Sequence, residues 1–288
     1  IFFKNYKVYT YLSEVIPKKT IKIFSPSGLR VLTNYISVHK KYYKTINPRE
    51  LDFKERDLKY SNSILQFVKD NDKNLEKYVF DHCDYIVPNS DTTYDIISCI
   101  YNKKLLRPIY LTNIVLQKEK KLKPFSQREY EIGFIAYNWK REVKNYSLVK
   151  EIIQSSKIDS RKMFIVGLNQ DKYESREIDS FDNKSNAELI ELYKNCKTIV
   201  IPSYYDSNPN VLLEAIRYGC NVVTSPNVGN WNFVNMTCIV KQYAKTEDWV
   251  QTICRSLKRS LPFIGYDCDH IKNQLINLFQ YVYWKKNL

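Results

Sequence analysis

Thr198-Ile199-Val200-Ile201-Pro202-Ser203-Tyr204-Tyr205-Asp206-Ser207-Asn208-Pro209-Asn210-Val211-Leu212-Leu213-Glu214-Ala215-Ile216-Arg217-Tyr218-Gly219 decides how this chain is read. The β-branched run at its start predicts a short buried strand. Asp206 to Asn210 is turn chemistry that opens a helix. Asn208 suits the N-cap, and Pro209 suits the first helical position, where its missing N–H costs nothing. Val211, Leu212, Leu213, Ala215 and Ile216 make the helix interior, and Gly219 supplies a left-handed stop. Two acids, Asp206 and Glu214, flank the helix start with seven residues between them.

A helix N-terminus offers free N–H groups and a partial positive charge, which suits an anion. A carboxylate one and a half turns further in has two acceptor oxygens, which suits the vicinal hydroxyls of a ribose. An acid at the loop tip can accept hydrogen bonds from more hydroxyls beyond the anion. Ribose, phosphates and sugar in that order describe a nucleotide-sugar. A plainer reading also stands: Asp206 caps the helix, and Glu214 pairs with Arg217 on a solvated stripe. Spacing alone favours the plainer one.

The flanking residues extend the pattern. Pro202-Ser203, Asp206, Pro209, Glu214-Ala215, Gly219, Asn221-Val222-Val223-Thr224 and Val228-Gly229 follow one another between Ile199 and Gly229. This stretch resembles the donor-binding core of the family 4 (group 1) glycosyltransferases, which have the GT-B fold. In that family both acids are usually Glu, and here the first is Asp206, one methylene shorter. The resemblance implies an α/β chain with two Rossmann-like domains and parallel sheets, the N-terminal one reduced. It also implies transfer of a sugar from a UDP- or GDP-linked donor to a hydroxyl acceptor, with retention. Glu214 would hold the ribose, and Ser207, Asn208, Pro209 and Asn210 would surround the diphosphate. Asp206 would contact the donor sugar.

Gly133-Phe134-Ile135-Ala136-Tyr137-Asn138-Trp139 predicts a strand running into a loop that carries Lys140, Arg141 and Lys144. In the resembled family an Arg and a Lys of this loop hold the diphosphate, and Arg141 and Lys144 match best. Gly133 would belong to the same donor site. A solvated basic loop is the alternative. The resemblance implies that these cations replace a metal, so no divalent ion and no cofactor are expected.

The chain has 288 residues and 44% hydrophobic content, enough for two α/β domains. No apolar run approaches a membrane span. Seven scattered cysteines, with no Cys-x-x-Cys, suggest reduced buried thiols in a cytosol-like compartment. The formal charge of +14 is spread over both halves and favours anionic partners. It suits a location that is cytoplasmic or cytosol-facing, with peripheral association to an anionic membrane. The run Lys40-Lys41-Tyr42-Tyr43-Lys44 fits such a surface, a nucleic acid backbone or a solvated helix end. His39, His82 and His270 are isolated and read as structural or exposed. A nucleic-acid partner is not expected, because no reading motif accompanies the charge and the 24 tyrosines. A nucleotide-sugar-binding protein without catalysis is the other alternative.

In chain order, residues 1–120 predict an incomplete acceptor-side domain. It has strands over 20–24, 84–90 and 107–113, and helices from Leu29, over 73–82 and over 91–101. Residues 117–124 read as a linker. Residues 121–268 predict the donor domain, with strands over 130–136, 162–167, 198–201 and 221–224. Its helices are expected over 145–156, 186–195, 209–218 and 247–258. Gly167 ends a strand either beside a nucleotide or in a plain turn. Residues 269–288 form a last helix, expected to return toward the first domain.

Overall fold

The computed structural model describes residues 2–3, 16–17, 19–26, 75–100, 105–109, 121–158, 161–171, 178–241, 244–262 and 268–286. The chain divides into two compact units, Ile1–Leu111 and Thr112–Leu288. In the first, β1 (Phe2–Phe3), β2 (Ile23–Phe24) and β3 (Tyr85–Ile86) form a parallel sheet in that order. Helix α1 (Leu75–His82) precedes β3 and α2 (Asp91–Ile100) follows it. Phe80 meets Phe24 edge-on at 6.1 Å, which seats α1 on the sheet. Ser90 accepts from the Thr93 N–H, as a helix cap does.

The strand expected over 107–113 is not formed within 105–109. A single bridge from Leu105 to Ile86 takes its place. Asn113, His39, the Lys40–Lys44 run and the helix expected from Leu29 lie outside the described residues.

The second unit holds β4 (Tyr130–Asn138), β5 (Met163–Leu168), β6 (Ile178–Phe181), β7 (Cys196–Ile201) and β8 (Asn221–Thr224). All pairs are parallel and the order is β6-β5-β4-β7-β8. Its helices are α3 (Tyr146–Ile153), α4 (Asn186–Lys194), α5 (Asn210–Arg217), α6 (Thr246–Ser256) and α7 (Cys268–Lys286). Helix α3 packs beside α6, and α4 beside α5. The near-continuous apolar runs of β5, β7 and β8 are those of strands covered on both faces. Gly133 sits mid-strand, where a Cβ would lie 2.4 Å from Phe164 and 2.8 Å from Ile199, so it serves packing here.

Strand β6 escapes the sequence reading because only Ile178 of its four residues is buried. Gly167 has φ 135°, and a Cβ there would lie 1.9 Å from the Ala136 carbonyl oxygen. Gly167 therefore neither ends the strand nor makes a turn: it lies inside β5, and its missing Cβ permits the close approach of β5 to β4.

Helix α5 begins one residue later than expected. Pro209 takes the cap position with extended backbone, φ −70° and ψ 119°, and makes no side-chain cap. Asn208 lies one residue before the cap, and its side-chain oxygen accepts from the Asn230 amide. At the other end Gly219 has φ 72°, and the N–H groups of Gly219 and Cys220 reach back to Ile216 and Ala215. That is a Schellman stop. The buried Arg128 guanidinium closes it, donating to the carbonyls of Tyr218, Gly219 and Cys196 at 3.0, 3.0 and 2.7 Å. A cation at a helix C-terminus also complements the dipole.

Candidate active site

The strand order places β4 beside β7, the first and fourth strands of this unit, so successive connections leave to opposite sides there. In open parallel sheets the crevice beyond the strand ends at such a reversal accepts ligands. Three loops leave that edge, after β4, β7 and β8. They are tied together. The Tyr204 N–H donates to the Val143 carbonyl at 2.9 Å, and the Asn145 amide to the Pro202 carbonyl at 3.0 Å. Asn145 adopts φ 55°, a left-handed conformation that Asn tolerates, which turns the chain into α3. The Asp206 carbonyl accepts from the Gly229 N–H at 2.6 Å, and the Asp206 N–H reaches the Asn227 carbonyl.

Within this frame Lys144 and Asp206 form an ion pair with Nζ to Oδ2 at 2.5 Å, each side chain 18% exposed. The two groups are 62 residues apart in sequence and sit on different loops. Lys140 and Arg141 are exposed on the β4 loop. Arg141 heads the 3-10 turn at Glu142–Lys144 without a side-chain cap. Ser207 and Pro209 are buried, Asn208 is half-buried and Asn210 exposed at the start of α5. Glu214 lies further along α5, partly exposed. Its Oε2 accepts a 2.7 Å hydrogen bond from Tyr193 of α4, while Arg217 lies over the Tyr218 ring. The expected alternative pairing of Glu214 with Arg217 is therefore not the one adopted.

The structure thus joins Lys144 to Asp206 and ties Asn208 to Asn230. It leaves Glu214 on a different hydrogen bond, and it places Gly133 inside the sheet. Tyr193, Asn230 and Arg128 escaped the sequence reading. A Tyr in an amphipathic helix and an Arg before a strand carry no local signal of such partners. The loop position of Asn230, beside Val228-Gly229, was the available clue.

Burial pushes the Cys220 thiol up to about 12 and Cys238 to about 11, so both stay protonated at neutral pH. Among the described residues no group of three His, Cys, Asp or Glu side chains is arranged for a metal. The sequence does hold two Asp-x-Asp triplets, Asp70-Asn71-Asp72 and Asp267-Cys268-Asp269. Neither belongs to the three loops; Asp70, Asp72 and Asp267 lie outside the described residues. No described helix is long and apolar enough to cross a membrane.

Comparison with solved structures returns this architecture. The sucrose-phosphate synthase of Thermosynechococcus elongatus aligns over 97% of this chain and 72% of its own, with TM-score 0.61 and 12% identity. WaaG, a glycosyltransferase involved in lipopolysaccharide biosynthesis, aligns over 88% of this chain and 72% of its own, with TM-score 0.53 and 12% identity. At such identities the likeness is one of fold, and both neighbours are GT-B glycosyltransferases. No curated protein sequence gives a significant match. The profile of the glycosyl transferases group 1 matches residues 117–260, half of the chain, and includes all three loops. This chain therefore belongs to the group 1 glycosyl transferases and is a sugar-transferring enzyme of the GT-B fold.

Proposed function

We propose that the enzyme transfers a sugar from a nucleoside-diphosphate sugar, UDP- or GDP-linked, to a hydroxyl acceptor, with retention and without a metal ion. The observation that carries this reading is the Lys144–Asp206 pair, held where the β4 and β7 loops meet. An ammonium there suits a diphosphate, and the adjacent carboxylate suits sugar hydroxyls. Lys144, with Arg141 near it in sequence and the N–H groups of Asn208 and Asn210, neutralises charge that grows on the leaving diphosphate. Asp206 contacts the donor sugar. Glu214, deeper in α5, receives the ribose hydroxyls.

In the reaction the bond from the sugar's anomeric carbon to the diphosphate oxygen breaks. A bond to the acceptor oxygen forms on the same face, and the acceptor's proton passes to the departing phosphate. No protein nucleophile is required. Radiolabelled transfer from a panel of donors tests the reading, with EDTA and manganese as the metal arms. Transfer unaffected by EDTA is expected; loss with EDTA and rescue by manganese would overturn metal independence.

Helix α7 of the second unit is proposed to meet an anionic bilayer surface. Lys272, Ile276, Phe279 and Tyr283 recur at helical spacing on α7, with Trp284 beside them, and Phe279, Tyr283 and Trp284 are 50, 72 and 57% exposed. Aromatic and basic groups on one helix face suit a lipid interface. Sedimentation with phosphatidylglycerol vesicles, lost in Phe279→Ser/Trp284→Ser, is the expected result. Equal binding to neutral vesicles, or none, would refute it.

A further inference from the structure

Glu214 is the one acid in α5, and a partly exposed carboxylate on a helix ordinarily samples several rotamers. Here it does not have that freedom. The Tyr193 hydroxyl donates to its Oε2 at 2.7 Å. Tyr193 is 1% exposed, and its ring stacks on Tyr218 at 6.0 Å and 12°. Helix α4, which carries it, is itself fixed by a Ser185–Glu188 capping box. The phenol therefore cannot follow the carboxylate, and the carboxylate follows the phenol. Burial, and then the Glu214 charge, push the Tyr193 hydroxyl well above its ordinary range, so it remains a donor. Packing alone does not need that hydroxyl, since a phenyl ring fills the same space. The bond occupies one lone pair of Oε2 and leaves Oε1 and the remaining lone pair free to accept.

We infer that Tyr193 is a positioning residue: it presents the Glu214 carboxylate to a vicinal diol, so that ribonucleotides are preferred over 2′-deoxyribonucleotides. The inference rests on the ribose role proposed above for Glu214. Holding the carboxylate in advance removes an ordering cost that binding would otherwise carry.

The test starts with a thermal-shift screen of the whole chain against UDP, GDP, ADP and CDP. The strongest binder and its 2′-deoxy form are then titrated by calorimetry into wild type, Tyr193→Phe, Glu214→Gln and the double variant. Tyr193→Phe is expected to weaken the ribonucleotide about tenfold, as loss of a hydrogen bond to a charged group does. It should weaken the deoxy form less, and it should add little in the Glu214→Gln background. Tyr193→Phe with unchanged affinity and ribose preference, beside a weakened Glu214→Gln, would overturn the positioning role alone. An equal loss for both nucleotides with a lowered melting point would mark Tyr193 as structural and overturn it too. Unchanged affinity in Glu214→Gln, or no binding of any of the four diphosphates, would overturn the ribose role and this inference with it.

Discussion

The two ends of α5 are built differently. The C-terminal end is closed: a left-handed glycine, two backward N–H bonds and a buried guanidinium satisfy its carbonyls. The N-terminal end has no side-chain cap, an exposed Asn210 and a half-buried ion pair across the neighbouring loops. One end spends its polar groups on the fold. The other sets them against neighbouring loops, in the Lys144–Asp206 pair and the Asn208–Asn230 bond. The contrast teaches that one end of α5 is closed by its own turn and a buried guanidinium, whereas the other meets a pair of opposite charges from two different loops.

Substitutions at the two ends should therefore fail in different assays. The largest effect is expected for Lys144→Ala, with donor turnover lowered about 10²–10³-fold, as when one charge-stabilising donor is lost from an active site. Its stability should change by no more than about 1 kcal/mol, the scale of a partly exposed pair. Urea unfolding beside steady-state kinetics separates the two quantities, and an unfolded Lys144→Ala would erase the contrast. Arg128→Ala comes next. It should lower stability by about 2–4 kcal/mol by orphaning buried carbonyls, with nucleotide affinity of the folded fraction preserved. A stable Arg128→Ala protein would show that the clamp is dispensable.

Asp206→Asn keeps the shape but removes the charge. It should lower turnover about tenfold through the donor sugar while leaving binding of the bare diphosphate intact or tighter, because Lys144 is released. A loss confined to diphosphate binding would reassign Asp206. The smallest effect concerns Cys220, beside the Arg128 clamp, whose thiol is raised from 9.0 to about 12. The unfolded chain loses this proton first, so the stabilising contribution is complete below about pH 9 and is lost as pH rises toward 12. Urea midpoints should fall less steeply over that window in Cys220→Ala than in wild type. Parallel curves would show no such linkage.

Much of the second unit is legible in the sequence because parallel strands covered on both faces leave unbroken apolar runs. The run 221–224 is read to the residue, whereas β7 extends back to Cys196. Strand β6 is lost because an edge strand with one buried residue looks like loop. The start of α5 is misplaced by one position: Pro209 keeps extended backbone and becomes the cap residue, while Asn208 before it meets Asn230, 22 positions later. The acids and cations of the loops are visible in the sequence as residue types only. That Lys144 meets Asp206, and Glu214 meets Tyr193, is not. Both are contacts between elements, and no local pattern encodes them.

Binding of a diphosphate at the meeting of the β4 and β7 loops is the central requirement of the proposed function. Calorimetric titration of wild type and Lys144→Ala with UDP and GDP, against uridine and guanosine lacking the phosphates, measures this directly. Wild type is predicted to bind one of the diphosphates far more tightly than its nucleoside, and Lys144→Ala to lose most of that margin. A folded Lys144→Ala protein that keeps the full preference for the diphosphate would contradict the account.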